Sequence, residues 1–206
     1  DKKNSLTTIK SFSMQVKSMT SEGWMVLCNE NDKPRLDIIF NVDNDNDLIA
    51  HNIWRDTEFN PGVPKRLIYS YSLKETPSLL VTDKGTYNLS YKDLHAGEDN
   101  NLKWRFGVSP EKILVESSIM SQYALPDLWV LVDNHHDVYA LDNSIDNGYF
   151  EFKINKLNGK EEFKAAPFIG TSYNVNYADK TYGHLPAVLY DETNKQFLCI
   201  KNNSRY

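Results

Sequence analysis

Four segments of this chain repeat one pattern: an apolar run, a short polar turn, and a second strand-like run. The first is Trp24-Met25-Val26-Leu27-Cys28, a turn from Asn29 to Pro34, and Arg35-Leu36-Asp37-Ile38-Ile39-Phe40. The second joins Leu79–Thr82 to Thr86–Leu89 through Asp83-Lys84-Gly85. The third joins Leu128–Val132 to Asp137–Leu141, and the fourth joins Ala187–Tyr190 to Gln196–Ile200. The first polar residue of each turn (Asn29, Asp83, Asp133, Asp191) recurs at intervals of about 54, 50 and 58 residues, the size of a β-propeller blade. The continuous apolar first strands suit inner strands packed on both faces. The alternating second strands, with Tyr87 and Leu89 or Tyr139 and Leu141 on one side, suit a face packed on one side more than the other.

This recurrence predicts an all-β, β-propeller-like repeat of about four blades, or a partial ring, over residues 23–206. Further strands are expected at Leu48–Trp54, Arg66–Ser72, Ile113–Val115, Tyr149–Ile154 and Tyr173–Tyr177. Ser109-Pro110-Glu111 also reads as a helix start, so Ser109–Met120 is open to either form, with the β-rich Ile113-Leu114-Val115 favouring strand. Residues 1–22 stand apart. Phe12, Met14 and Val16 alternate with polar residues, as in a leading strand or a linker from a preceding domain. The chain opens Asp1-Lys2-Lys3-Asn4, which suggests a mature or trimmed segment.

Composition narrows the function classes. Across 206 residues, 23 Lys and Arg stand against 28 Asp and Glu, a net charge of −5. An acidic chain without basic runs is a poor partner for nucleic acid. No uninterrupted apolar stretch approaches the ~18 residues of a membrane-spanning helix. Aromatics make up 12%, too many for a disordered chain. Cys28 and Cys199 fit either two free thiols or one disulfide joining the first and last units.

Candidate chemistry is sparse. Asp43-Asn44-Asp45-Asn46-Asp47 starts like a calcium loop, but Leu48 and Trp54 replace the Gly and Glu an EF-hand needs, so a solvated turn is expected. His135-His136 lacks the converging spacing of a zinc site and reads as a hairpin turn. Asp83, Asp133 and Asp191 would gather on one rim, as in glycosidase propellers, yet Asp is favoured at such turns for hydrogen bonding alone. No nucleotide motif is present, and no cofactor or metal is indicated. The aromatics are the better clue: Trp54, Trp104, Tyr123, Tyr177 and Tyr182 fall in the longer connections, where exposed rings stack on sugars or peptide side chains. The same rings also suit packing between blades.

The stretch Ser21-Glu22-Gly23-Trp24-Met25-Val26-Leu27, followed by Pro34-Arg35-Leu36-Asp37-Ile38-Ile39, resembles the opening of the repeat region in the PKD-like family of Bacteroidetes surface lipoproteins. Leu79–Leu89 and Leu128–Leu141 resemble that family's hairpins. The resemblance implies an exported protein, held at the outer membrane or cell surface by a lipid anchor that this chain lacks. It also implies PKD domains ahead of a propeller-like repeat, and glycan or nutrient uptake as the setting. It carries no catalytic residue to transfer. A fragment of a longer protein, a small ring and an open arc all remain consistent with four units. The expected function is therefore a non-catalytic binding protein for a glycan or a surface protein. A propeller-type glycoside hydrolase or lyase and a structural assembly module are the alternatives.

Overall fold

The computed structural model describes residues 23–43, 46–55, 58–69, 78–90, 94–120, 128–142, 148–157, 161–170 and 187–200. Over these it is all-β, with four small antiparallel sheets and two short 3-10 turns, Glu98–Asn100 and Leu102–Arg105. The first sheet contains β1 (Trp24–Glu30), β2 (Lys33–Asp43) and β3 (Asn46–Ala50), in that order. The second contains β4 (Pro64–Tyr69), β5 (Ser78–Thr82) and β6 (Thr86–Leu89), and the third β7 (Val115–Met120), β8 (Leu128–Asp133) and β9 (Val138–Asp142). The fourth pairs β10 (Ala187–Asp191) with β11 (Gln196–Ile200). Residues 165–170 flank β10 through isolated bridges at Ala165–Asp191 and Gly170–Val188. No helix among the described residues is long and apolar enough to cross a membrane.

All four expected hairpins form: β1–β2, β5–β6, β8–β9 and β10–β11. The first closes through Asn31 and Asp32, both at positive φ (52° and 59°), as a two-residue turn matching strand twist requires. Each first strand ends on the residue entering its turn: Glu30, Thr82, Asp133 and Asp191. In the second hairpin the repeating position is therefore Thr82, one residue before the sequence marker Asp83. The Thr82 hydroxyl is buried; it donates to the Pro61 carbonyl (2.6 Å) and accepts from the Lys84 N–H (3.1 Å). Asp83 reaches sideways and accepts from the Val63 N–H (2.7 Å). Gly62, at φ +104°, makes room for it, since a Cβ there would lie 2.1 Å from the carboxylate.

The sheets pack in chain order, each against the next. Leu36 and Ile38 of β2 meet Leu80, Tyr87 and Leu89 of the second sheet around Trp54. Leu79 and Val81, on the opposite face of β5, meet Trp129, Leu131 and Leu141 of the third sheet around Phe106 and Phe150. Val130, Val132 and Val138 then meet Ala187 and Leu189 of the fourth, with Phe163 and Ala165. Strand alternation thus sends successive residues of β5 and β8 into two different cores. This explains why Leu79–Val81 and Val130–Val132 are continuous apolar runs: both faces are dry. Among the described residues no core joins the first sheet to the fourth.

Leu48–Trp54 is strand only to Ala50 and then turns, while β4 starts two residues ahead of the expected Arg66. Ser109–Met120 contains strand β7 from Val115, with Ile113 and Leu114 buried just before it. Tyr149–Ile154 is irregular, joined to Phe106 by a bridge at Phe150, because the Phe150 ring is a core plug between Phe106 and Trp129. His135 and His136 sit in the β8–β9 turn, with His136 at φ +64°. Cys28 and Cys199 are free thiols. The residue 1–22 segment and Tyr173–Tyr177 lie outside the described residues.

Candidate functional site

Of the aromatic residues expected to bind ligand, the structure places two. Trp54 is buried (8% exposed), and its indole N–H donates to the Leu94 carbonyl at 2.8 Å. That hydrogen bond spans forty positions of sequence, and it turns the ring into the core between the first two sheets. Trp54 therefore offers an edge and not an open stacking face. Trp104 is 51% exposed; its N–H donates to the Glu98 carbonyl (3.0 Å), and the Lys103 ammonium lies 4.6 Å from its ring centroid. Tyr123, Tyr177 and Tyr182 lie outside the described residues.

A cleft of about 300 Å³ opens beside Trp54, between the β1–β2 turn and the connection from β3 to β4. Glu30, Asn31, Lys33 and Pro34 form one wall. Asn52, Trp54 and Arg55, then Phe59, Asn60 and Pro61, form the other, with Ala96 behind. Trp104 is not part of it. The lining combines three side-chain amides, two cations, one carboxylate and two aromatic rings, so it offers donors and acceptors beside apolar surface.

The wall is built from Asp37. Its carboxylate is nearly buried in β2 and accepts from the Asn52 N–H (2.9 Å), from Arg35 Nη2 (3.0 Å) and from the His51 ring (3.5 Å). The Asn52 N–H, opposed by burial and helped by Arg35 and His51, holds the Asp37 carboxyl below its ordinary range. The anchored N–H fixes Asn52 at φ +44°, a left-handed position that Asn tolerates better than most residues. The turn continues as the Arg55 N–H bonds to the Asn52 carbonyl (3.0 Å) and the Ile53 N–H to the Leu36 carbonyl (2.9 Å). Oδ1 of Asn52 is buried with no hydrogen-bond partner. On the far side, Asn60 Oδ1 accepts from the Gly62 N–H (3.0 Å), and the Phe59 ring meets Tyr87 edge-on at 5.4 Å.

Sequence reasoning missed Asn52, Phe59 and Asn60. Asn60-Pro61-Gly62 is turn punctuation, so the loop was detectable. Nothing local marks Asn52, because its partner Asp37 is fifteen positions away.

The turn groups of the third and fourth sheets are engaged in structure. His136 Nδ1 lies 2.9 Å from Glu192, and Asp137 bridges Lys164 (2.8 Å) and Lys153 (3.5 Å), which also reaches Glu162 (2.9 Å). Asp133 Oδ1 caps its turn by accepting from the N–H groups of His135 and Asp137 (2.9 Å each). Asp191 accepts from the Thr193 and Asn194 N–H groups and from the Asn194 and Gln196 amides. Among the described residues no group of three or more His, Cys, Asp or Glu is placed to hold a metal ion. Compared with protein-family models, curated proteins and solved structures, the chain matches none.

Proposed function

We propose that this chain is the propeller-like repeat region of an exported, cell-surface protein that binds a glycan without transforming it, and that the Trp54 cleft is where the glycan sits. The observation that carries the reading is the cleft lining. Asn31, Asn52 and Asn60, with Lys33 and Arg55, surround the apolar surface of Phe59 and Trp54. Sugars present hydroxyls that both donate and accept, around rings with apolar C–H faces, and amides beside aromatics complement both. Glu30, the one carboxylate among the lining residues, is 3.4 Å from Arg35. A glycosidase needs two carboxyl groups across its bond. The propeller-like part of the reading rests on four hairpins ending at equivalent turns and stacking in chain order. Export and surface attachment rest on the family resemblance alone.

The test is affinity electrophoresis against a panel of neutral and acidic polysaccharides. We expect one to retard the protein, and Asn52→Asp, which keeps the shape and tolerates the left-handed backbone, to weaken that binding by about tenfold or more. Release of reducing sugar from the retarded glycan, or equal binding by the variant, would overturn the reading.

A further inference from the structure

Among the described residues two faces of the stack have no neighbouring sheet, and the internal repeat shows what such faces pack against. Align the four first strands on their last residues: Glu30, Thr82, Asp133 and Asp191. One position before the end stand Val81, Val132 and Tyr190; three before stand Leu79, Val130 and Val188. In the second and third sheets these side chains are fully or almost fully buried against the next sheet. In the fourth, Tyr190 and Val188 are only half-buried; their cross-strand partners are Phe197, 70% exposed, and Cys199, also exposed. Two positions before the end stand Cys28, Leu80, Leu131 and Leu189. The three leucines are buried against the preceding sheet, but Cys28 belongs to an outer face with Val26, Ile39, Ile49 and Trp24, which is 75% exposed, and opposite Val26 and Cys28 that face carries the ion-paired Asp37 and Arg35 (3.0 Å).

The chain therefore displays, at the positions its three internal interfaces use, a forward face on the fourth sheet and a backward face on the first, the latter apolar around one ion pair. We propose that these faces bind each other between copies, so that a second copy of this chain docks its first sheet on the fourth sheet of its neighbour. The contact is heterologous, joining Trp24, Val26 and Cys28 of one copy to Val188, Tyr190 and Phe197 of the next. Nothing in a head-to-tail contact limits assembly to two copies. The two thiols of the sequence mark the two faces.

Sedimentation velocity over a concentration series tests this, with a thiol-specific bis-maleimide as the second readout. The wild-type chain should associate as concentration rises and give a ladder of cross-linked species. Trp24→Glu and Phe197→Glu alter exposed side chains only, so each should fold; each alone should stay monomeric. Mixed in equal amounts they retain one intact pair of faces and should form a dimer that grows no further. Cys28→Ser and Cys199→Ser should each abolish the ladder. A wild-type chain that stays monomeric at the highest concentration overturns the proposal. So does a cross-linked dimer that persists in either serine variant, because that is pairing of like faces. A Cys28–Cys199 link within one chain also overturns it, because then the sheets close on themselves.

Discussion

Asp133 and Asp191 occupy one position of the repeat, yet the fold moves their acidities in opposite directions. Asp133 is buried and receives two N–H bonds on a single oxygen; burial dominates and raises its pKa. Burial also pushes Asp191 up, but donors from Asn194, Gln196 and Thr193 engage both of its oxygens and pull it below its ordinary value. The signs of their pH effects follow. A raised folded pKa favours folding most at acid pH and loses that contribution as pH rises through the folded value. A lowered one contributes above the ordinary carboxylate range and is lost as pH falls through the folded value. Asp133→Asn keeps the accepting oxygen and removes a buried charge, so its melting temperature at neutral pH should equal or exceed the wild type. Asp191→Asn turns an amide toward two amide donors and should cost about 1–3 kcal/mol. Thermal unfolding at neutral and mildly acid pH checks both, with the gap between the variants narrowing as the pH falls.

At the scale of elements, the phase of the second hairpin separates two neighbours that look alike in sequence. Thr82→Val strands the buried Pro61 carbonyl and the part-buried Lys84 N–H and should cost about 1–3 kcal/mol. Asp83→Ala loses one bond at an exposed site and should cost less than about 1 kcal/mol. Chemical denaturation of the two variants decides whether Thr82 or Asp83 carries the turn. The same pair shows what was legible. The hairpins were readable because an apolar run followed by turn residues is a local signal. Their phase was not, because a Thr hydroxyl and an Asp carboxylate can both satisfy a turn, and the choice depends on Pro61 and Val63 in another element. The flanking strands were harder still: β7 holds Ser117 and Ser118, and Pro167 interrupts the segment beside β10, so neither has an apolar run. The cleft was least legible. Trp54 was singled out for its ring, but the Leu94 carbonyl decides where that ring lies, and Asn52 owes its position to Asp37.

At the scale of the whole molecule, each sheet shares a core, among the described residues, only with its neighbours in sequence, so stability should behave as a sum of sheets and the interfaces between them. Every residue of β5 is buried, and nearly every one of β8, because each strand serves two cores. In β10 buried and half-buried residues alternate, and in β1 none is fully buried. Opening β1 exposes one face to water and breaks one interface, whereas opening β5 or β8 breaks two and carries the neighbouring sheets with it. Amide hydrogen exchange should therefore be slowest in β5 and β8, intermediate in β10 and fastest in β1. Leu131→Ala, in the core shared by the second and third sheets, should cost about 2–5 kcal/mol and speed exchange in β5 and β8 together. Val26→Ala, on the uncovered face of β1, should leave both rates unchanged, since no described core contains its side chain. Exchange measured by mass spectrometry on the wild type and these two variants reads the gradient directly. Equal protection of β1 and β5 would mean that the four sheets open as one cooperative unit, and the nearest-neighbour account of this fold would fail.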